Sequence, residues 1–270
     1  MSEKWTEEKV QVGGTELTVL KCGRGKPLLY FHGEMGFEGG CEWHQILSQK
    51  RTLIVPLHPG FGKSQAADWI MDVRDLAAFY SRFIREQKLS PVDTIGFSLG
   101  GFIAAEMAVA SCAQFSKLVL VGALGLRPPQ GEIMDMFMVS ASAFLKKNVL
   151  DTESTQEFAT IYGGSTEMTP KQKETQWEAW EDARAATARI AWKPYMFSPS
   201  MSHLLENIIG LPTLVISGKQ DKVAPLSAAQ LFHEKISGSK LVLLDSCGHM
   251  PMIEKSSEFI GAIESFLNEK

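Results

Sequence analysis

Short apolar runs of β-favouring residues, separated by stretches with helical spacing, constrain this chain more than any other feature. The runs lie at 27–31, 52–57, 92–95, 117–121, 213–217 and 240–244. Between 68 and 88, apolar residues at 69, 70, 73, 76, 77, 80, 83 and 84 share one face of a helix. Asp72 and Asp75 stand near its start and Arg85 and Lys88 at its end, as the helix dipole favours. Apolar positions 259, 260, 263, 266 and 267 predict a last helix over 256–267. Strands that alternate with helices predict a mostly parallel sheet covered on both faces. Ahead of them, 10–12 and 17–20 read as an antiparallel pair joined at Gly13-Gly14, which makes eight strands in all.

One stretch breaks the rhythm. From 126 to 207 there is no credible strand, and two helical segments stand in its place, 132–150 and 170–191. The second opens on Thr169-Pro170-Lys171-Gln172, a capping box with proline at the first helical position. An insert of about eighty residues is too long for a loop. The expected organisation is a core of 1–125 and 208–270 carrying an all-helical cap at 126–207. Methionine suits surfaces that adapt to varied ligands. Met134, Phe137 and Met138, with the aromatic residues Trp192, Tyr195 and Phe197 where the cap returns, are therefore candidate substrate contacts. Packing of cap on core is the competing reading for each.

The chemistry concentrates at Gly96-Phe97-Ser98-Leu99-Gly100, where the strand at 92–95 meets an alanine-rich helical stretch. A serine flanked by glycines at a strand-to-helix turn is the pattern of a nucleophile elbow. The turn leaves no room for side chains two positions either side, and the helix start leaves the Leu99 N–H free beside the hydroxyl. A serine needs a base, and the base an orienting acid. His249 follows the last strand and Asp221 the one before it, so both should reach the sheet edge that carries Ser98. Asp245 is the rival acid, with a structural role as its alternative. His44, His203 and His233 have no catalytic context, and Cys247 reads as a packed thiol rather than a reactive one.

Taken in order, His32-Gly33, Pro59-Gly60-Phe61-Gly62-Lys63-Ser64, Gly96 to Gly101, Gly218 to Asp221 with Pro225, and Gly248-His249 resemble the α/β-hydrolase superfamily over nearly the whole chain. The likeness is to its capped serine branch of carboxylesterases, lactonases, haloperoxidase-type esterases and hydrolases of carbon–carbon bonds. It implies a triad of Ser98, Asp221 and His249, and an oxyanion hole made by the N–H groups of Glu34 and Leu99. It also implies an acyl-enzyme released by water, with no metal or organic cofactor. Two departures stand out. His58 occupies a position where many relatives have aspartate, and Glu34 is an unusual neighbour for an oxyanion hole. The expectation for the Glu34 side chain is that it points to solvent; the alternative is that it reads a polar or cationic substrate group.

Bulk properties narrow the remaining classes. A net charge of −4 without a basic run gives little reason to expect nucleic acid or an anionic membrane as partner. The polar, mixed-charge start does not resemble a secretory signal, and the four cysteines lack CxxC or metal spacing, as in a cytoplasmic protein. The expectation is a hydrolase of ester-type bonds in a small, largely apolar substrate, working as monomer or homodimer. The alternatives are a carbon–carbon hydrolase of ring-cleavage diketones, with Arg127 and Arg189 as possible carboxylate holders, a small-molecule receptor, and acyl transfer to an alcohol or peroxide.

Overall fold

The structure, a computed structural model, describes residues 4–37, 39–162 and 169–269. The strands are β1 (Thr6–Val12), β2 (Thr15–Gly23), β3 (Lys26–Phe31), β4 (Arg51–Pro56), β5 (Val92–Phe97), β6 (Phe115–Val121), β7 (Thr213–Gly218) and β8 (Lys240–Leu244). The helices are α1 (Glu42–Ser48), α2 (Val73–Glu86), α3 (Leu99–Ala110), α4 (Ala141–Asn148), α5 (Gln156–Tyr162), α6 (Pro170–Ala191), α7 (Met201–Leu204), α8 (Leu226–Lys235), α9 (Pro251–Glu254) and α10 (Ser256–Asn268). All eight strands form one sheet in the order β1-β2-β4-β3-β5-β6-β7-β8. Only the β1–β2 and β2–β4 pairings are antiparallel.

The two-residue period of the strands divides the core. Leu29 and Phe31 of β3 and Leu118 and Leu120 of β6 pack with α2, α3 and α8 on one face. Leu28 and Tyr30, with Val119 and Val121, pack with α1 and α10 on the other. This is why the parallel strands read as unbroken apolar runs: both of their faces are dry. The fold is therefore the expected α/β sheet with helices on both faces.

Among the described residues between β6 and β7 no strand forms. Helix α6 has the bounds its capping box and spacing predict, with Thr169 and Gln172 each satisfying the other's backbone N–H. The expected single helix over 132–150 does not form: α4 covers only its second half, after one 3-10 turn at Met136–Met138. Tertiary partners claim the backbone groups a longer helix would pair internally. The Tyr195 hydroxyl donates to the Met134 carbonyl and accepts from the Met136 N–H, both at 2.8 Å. The Arg184 guanidinium takes the carbonyls of Met136 and Val139, both at 2.9 Å. Ser140 then restarts the chain as the cap of α4.

Every strand that feeds the candidate site ends at the same sheet edge. At the β5–α3 turn a Cβ on Gly96 would overlap the Gly100 carbonyl, and one on Gly100 would overlap the carbonyls of Phe31 and His32. Gly100→Ala is therefore expected to destabilise the protein by about 3 kcal/mol, read as a lowered midpoint in chemical denaturation.

Candidate active site

Ser98 links β5 to α3 with φ 51° and ψ −113°, a left-handed backbone that a non-glycine residue holds only under strain. Its Oγ lies 2.9 Å from His249 Nε2, and His249 Nδ1 lies 2.7 Å from Asp221 Oδ2. The other Asp221 oxygen, Oδ1, accepts from the N–H groups of Val223 at 2.7 Å and Ala224 at 2.9 Å, so the carboxylate cannot swing away. With Nδ1 donating to the carboxylate, Nε2 is the nitrogen left to accept from the serine hydroxyl. Both Ser98 and His249 are 0% exposed. Burial pulls the His249 pKa down, but the Asp221 carboxylate, with Glu34 and Glu254 behind it, outweighs burial and holds it above 6.5.

The loop that carries His249 is fixed by groups that sequence reading missed. The Glu254 carboxylate accepts from the N–H of Gly248 at 3.0 Å, of Met250 at 3.2 Å and of Leu150 at 2.7 Å. The Asn148 carbonyl accepts the His249 N–H at 2.8 Å. Glu254 follows Pro251 at the start of α9, which was a weak local sign; nothing local in the sequence marked Asn148. Asp245, the rival acid, pairs with Lys219 at 2.7 Å and is mostly exposed. Cys247 is buried, and burial raises its thiol pKa well above the ordinary value, which suits an inert packed group.

The β3 end lies against the serine: the backbone at Gly33 abuts the Phe97 ring and Ser98 Cβ. Among the described residues neither the Glu34 N–H nor the Leu99 N–H donates to a protein acceptor. A buried relay holds this loop. His32 Nδ1 donates to the Gly33 carbonyl at 2.9 Å, and His32 Nε2 accepts the His58 N–H at 3.1 Å. His58 Nε2 donates to the His32 carbonyl at 3.0 Å, and His58 Nδ1 accepts from the Tyr80 hydroxyl at 2.6 Å. His58 thus does a structural task at the position where relatives often carry aspartate. The Glu34 side chain is a correction to the expectation: it is not in solvent but 1% exposed. The carbonyl of Glu34 accepts from the Thr187 hydroxyl of α6 at 3.0 Å, so α6 packs against the loop.

The remaining candidates are dispersed. Phe137 stacks near Trp192, with centroids 4.8 Å apart, and near Tyr195 at 6.0 Å. Phe197 forms an isolated bridge with Gly125, just after β6. Met134 is partly buried, whereas Met138 and Trp192 lie at the surface, 80% and 56% exposed. Arg127 is exposed, and Arg189 donates to the Asp68 carbonyl at 2.7 Å. His44 packs among the aromatic rings of Trp5, Tyr30, Phe37 and Trp43, and among the described residues neither ring nitrogen has a partner.

The family model for the alpha/beta hydrolase fold matches residues 26–256. The chain belongs to that family and is a hydrolase of the α/β fold. It is 28% identical over 279 residues to the 2-hydroxy-6-oxo-6-(2'-aminophenyl)hexa-2,4-dienoic acid hydrolase of Metapseudomonas resinovorans, covering 98% of this chain and 92% of that one. It is 26% identical to the pimeloyl-acyl-carrier protein methyl ester esterase of Aeromonas hydrophila subsp. hydrophila, over 93% of this chain and 99% of the relative. The esterase from Exiguobacterium antarcticum superposes with a TM-score of 0.72 at 23% identity, covering 98% of this chain and 100% of that one, a likeness of fold. Among the described residues no helix is long and apolar enough to cross a membrane.

Burial lowers the pKa of His32 to about 4, of His44 to about 3, and of His58 well below 6.5. All three titrate near 6.5 when unfolded, so below that pH the unfolded chain binds the extra protons. Their stabilisation is complete above pH 6.5 and is lost as pH falls toward 4; His249, with its raised pKa, has the opposite sign. Denaturant titrations from pH 8 to 4 should show stability falling with acid. His44→Phe should flatten that fall by about 1.4 kcal/mol per pH unit near pH 5.

Proposed function

We propose that the chain hydrolyses ester-type bonds of a small, largely apolar substrate through an acyl-enzyme on Ser98. The observation that carries this is the unbroken hydrogen-bond path from Ser98 Oγ through His249 to Asp221. In this reading His249 Nε2 takes the hydroxyl proton as Oγ attacks the carbonyl carbon. The Glu34 and Leu99 N–H groups receive the developing oxyanion, and Asp221 stabilises the imidazolium. His249 then passes the proton to the leaving alcohol. Water, deprotonated by the same nitrogen, attacks the acyl carbon and frees Oγ, which regains its proton. No step uses a metal or an organic cofactor.

The insert at 126–207 is proposed as the cap that selects substrates, with Met134, Phe137, Tyr195 and Phe197 as its contact candidates. Carbon–carbon cleavage of a dienoic acid, the compound for which one relative is named, is the second reading. Electrostatics favours the ester. A dienoate brings a carboxylate, and the buried Glu34 already sets one on the loop that abuts the elbow. Arg127 is exposed, Arg189 donates to the Asp68 carbonyl, and Arg184 gives its terminal nitrogens to Glu181 and two carbonyls.

Turnover of p-nitrophenyl butyrate should fall by at least about 10⁴-fold in Ser98→Ala. A fluorophosphonate should label Ser98; a label on another residue would overturn the mechanism. Because His249 must be neutral to act and its pKa is raised, the acid limb of kcat/KM should lie above pH 6.5. Asp221→Asn removes the anion that raises it and should move that limb to lower pH while lowering kcat about 10⁴-fold.

A further inference from the structure

The mechanism above uses only the backbone of Glu34; its side chain has no part in it. That side chain is buried, and among the described residues Oε2 has no hydrogen-bond partner. The residue follows Gly33, where an added Cβ would meet the Phe97 ring and Ser98 Cβ, and its carbonyl accepts from Thr187 of α6, so it lies between the elbow and α6.

The hydroxyls and imidazole around it are already committed. The Tyr195 hydroxyl bonds the backbone at Met134 and Met136, and the Thr187 hydroxyl bonds the Glu34 carbonyl. Both His249 nitrogens belong to Ser98 and Asp221. Arg184 gives its terminal nitrogens to Glu181, Met136 and Val139; among the described residues its Nε has no partner, and no hydrogen bond joins it to Glu34. A buried carboxylate oxygen without a donor is costly. Here the cost is felt twice, because the same negative charge opposes the oxyanion that forms next to it. A substrate that brings a positive charge relieves both.

We infer that Glu34 is a specificity-determining residue whose carboxylate receives a protonated amine carried by the substrate. The inference deepens the ester-hydrolase reading and rests on it. The favoured class is an otherwise apolar ester with one alkylammonium group. A neutral substrate leaves the carboxylate uncompensated while the oxyanion develops, and an anionic one adds a third negative charge. The selection is therefore expressed most strongly in the transition state, where the opposing charge has formed.

Two isosteric pairs test this at pH 7: 2-(dimethylamino)ethyl butyrate against 3-methylbutyl butyrate, and methyl 4-(dimethylamino)butyrate against methyl 5-methylhexanoate. The first pair carries the amine in the alcohol and the second in the acyl part. The wild-type protein should favour the ammonium member of at least one pair by about tenfold or more in kcat/KM. Glu34→Gln, which keeps the shape and removes the charge, should bring that ratio close to one. A wild-type ratio near one for both pairs would overturn the proposal, as would a Glu34→Gln variant that slows both members alike. The wild-type ratio needs no folded variant. Calorimetric titration of the same esters into Ser98→Ala reads the preference without turnover, and equal affinities within both pairs there would also overturn it. Loss of the ester-hydrolase reading looks different: turnover that survives Ser98→Ala, or none with any of the four esters.

Discussion

The tight approach of the β5–α3 turn to the end of β3 is the constraint on which the site depends. Gly100 lies against the Phe31 and His32 carbonyls with no space for a side chain. That contact sets the start of α3 directly beside the loop holding Gly33 and Glu34. It also forces Ser98 into its left-handed backbone, lifting the hydroxyl out of the sheet edge. Strain at this residue persists because β5 is buried throughout and α3 is buried from Leu99 to Ala108. Packing energy in the core thus maintains the geometry of one hydroxyl.

Around that turn, each proposed catalytic group is held by a partner that does no chemistry. Asp221 is anchored by two backbone amides, His249 by a loop gathered around Glu254, and the β3 loop by the relay of His32, His58 and Tyr80. Such fixed dipoles and hydrogen bonds are what let a site act without reorganising when charge appears. The relay also explains how histidine serves at position 58. A neutral imidazole donates with one nitrogen and accepts with the other, and here each finds a buried partner.

Much of this was legible in the sequence because it is encoded locally. A buried parallel strand needs an apolar run, so the strands at 27–31 and 213–217 were visible residue by residue. The elbow needs its glycines, and Asp221 and His249 follow strands whose ends share one edge. The capping box at Thr169 fixed the start of α6 for the same reason. Features set by distant contacts were not legible. The stretch before α4 has helical composition but gives its backbone hydrogen bonds to Tyr195 and Arg184, tens of residues away. Glu34 is buried on a loop that α6, far along the chain, reaches through Thr187, and no pattern near residue 34 announces it.

The complete enclosure of Ser98 and His249 carries a kinetic consequence. Both side chains are closed to solvent in this conformation, so on the proposed mechanism a substrate has to push protein atoms aside before its carbonyl meets Oγ. With the insert acting as the proposed cap, its breathing would set the tempo at which the site is visited. Water needed for the second half of the proposed reaction would face the same wall. An acyl group once loaded would stay dry until the cap lifted again, its lifetime governed by the motion of the fold as much as by the basicity of the imidazole.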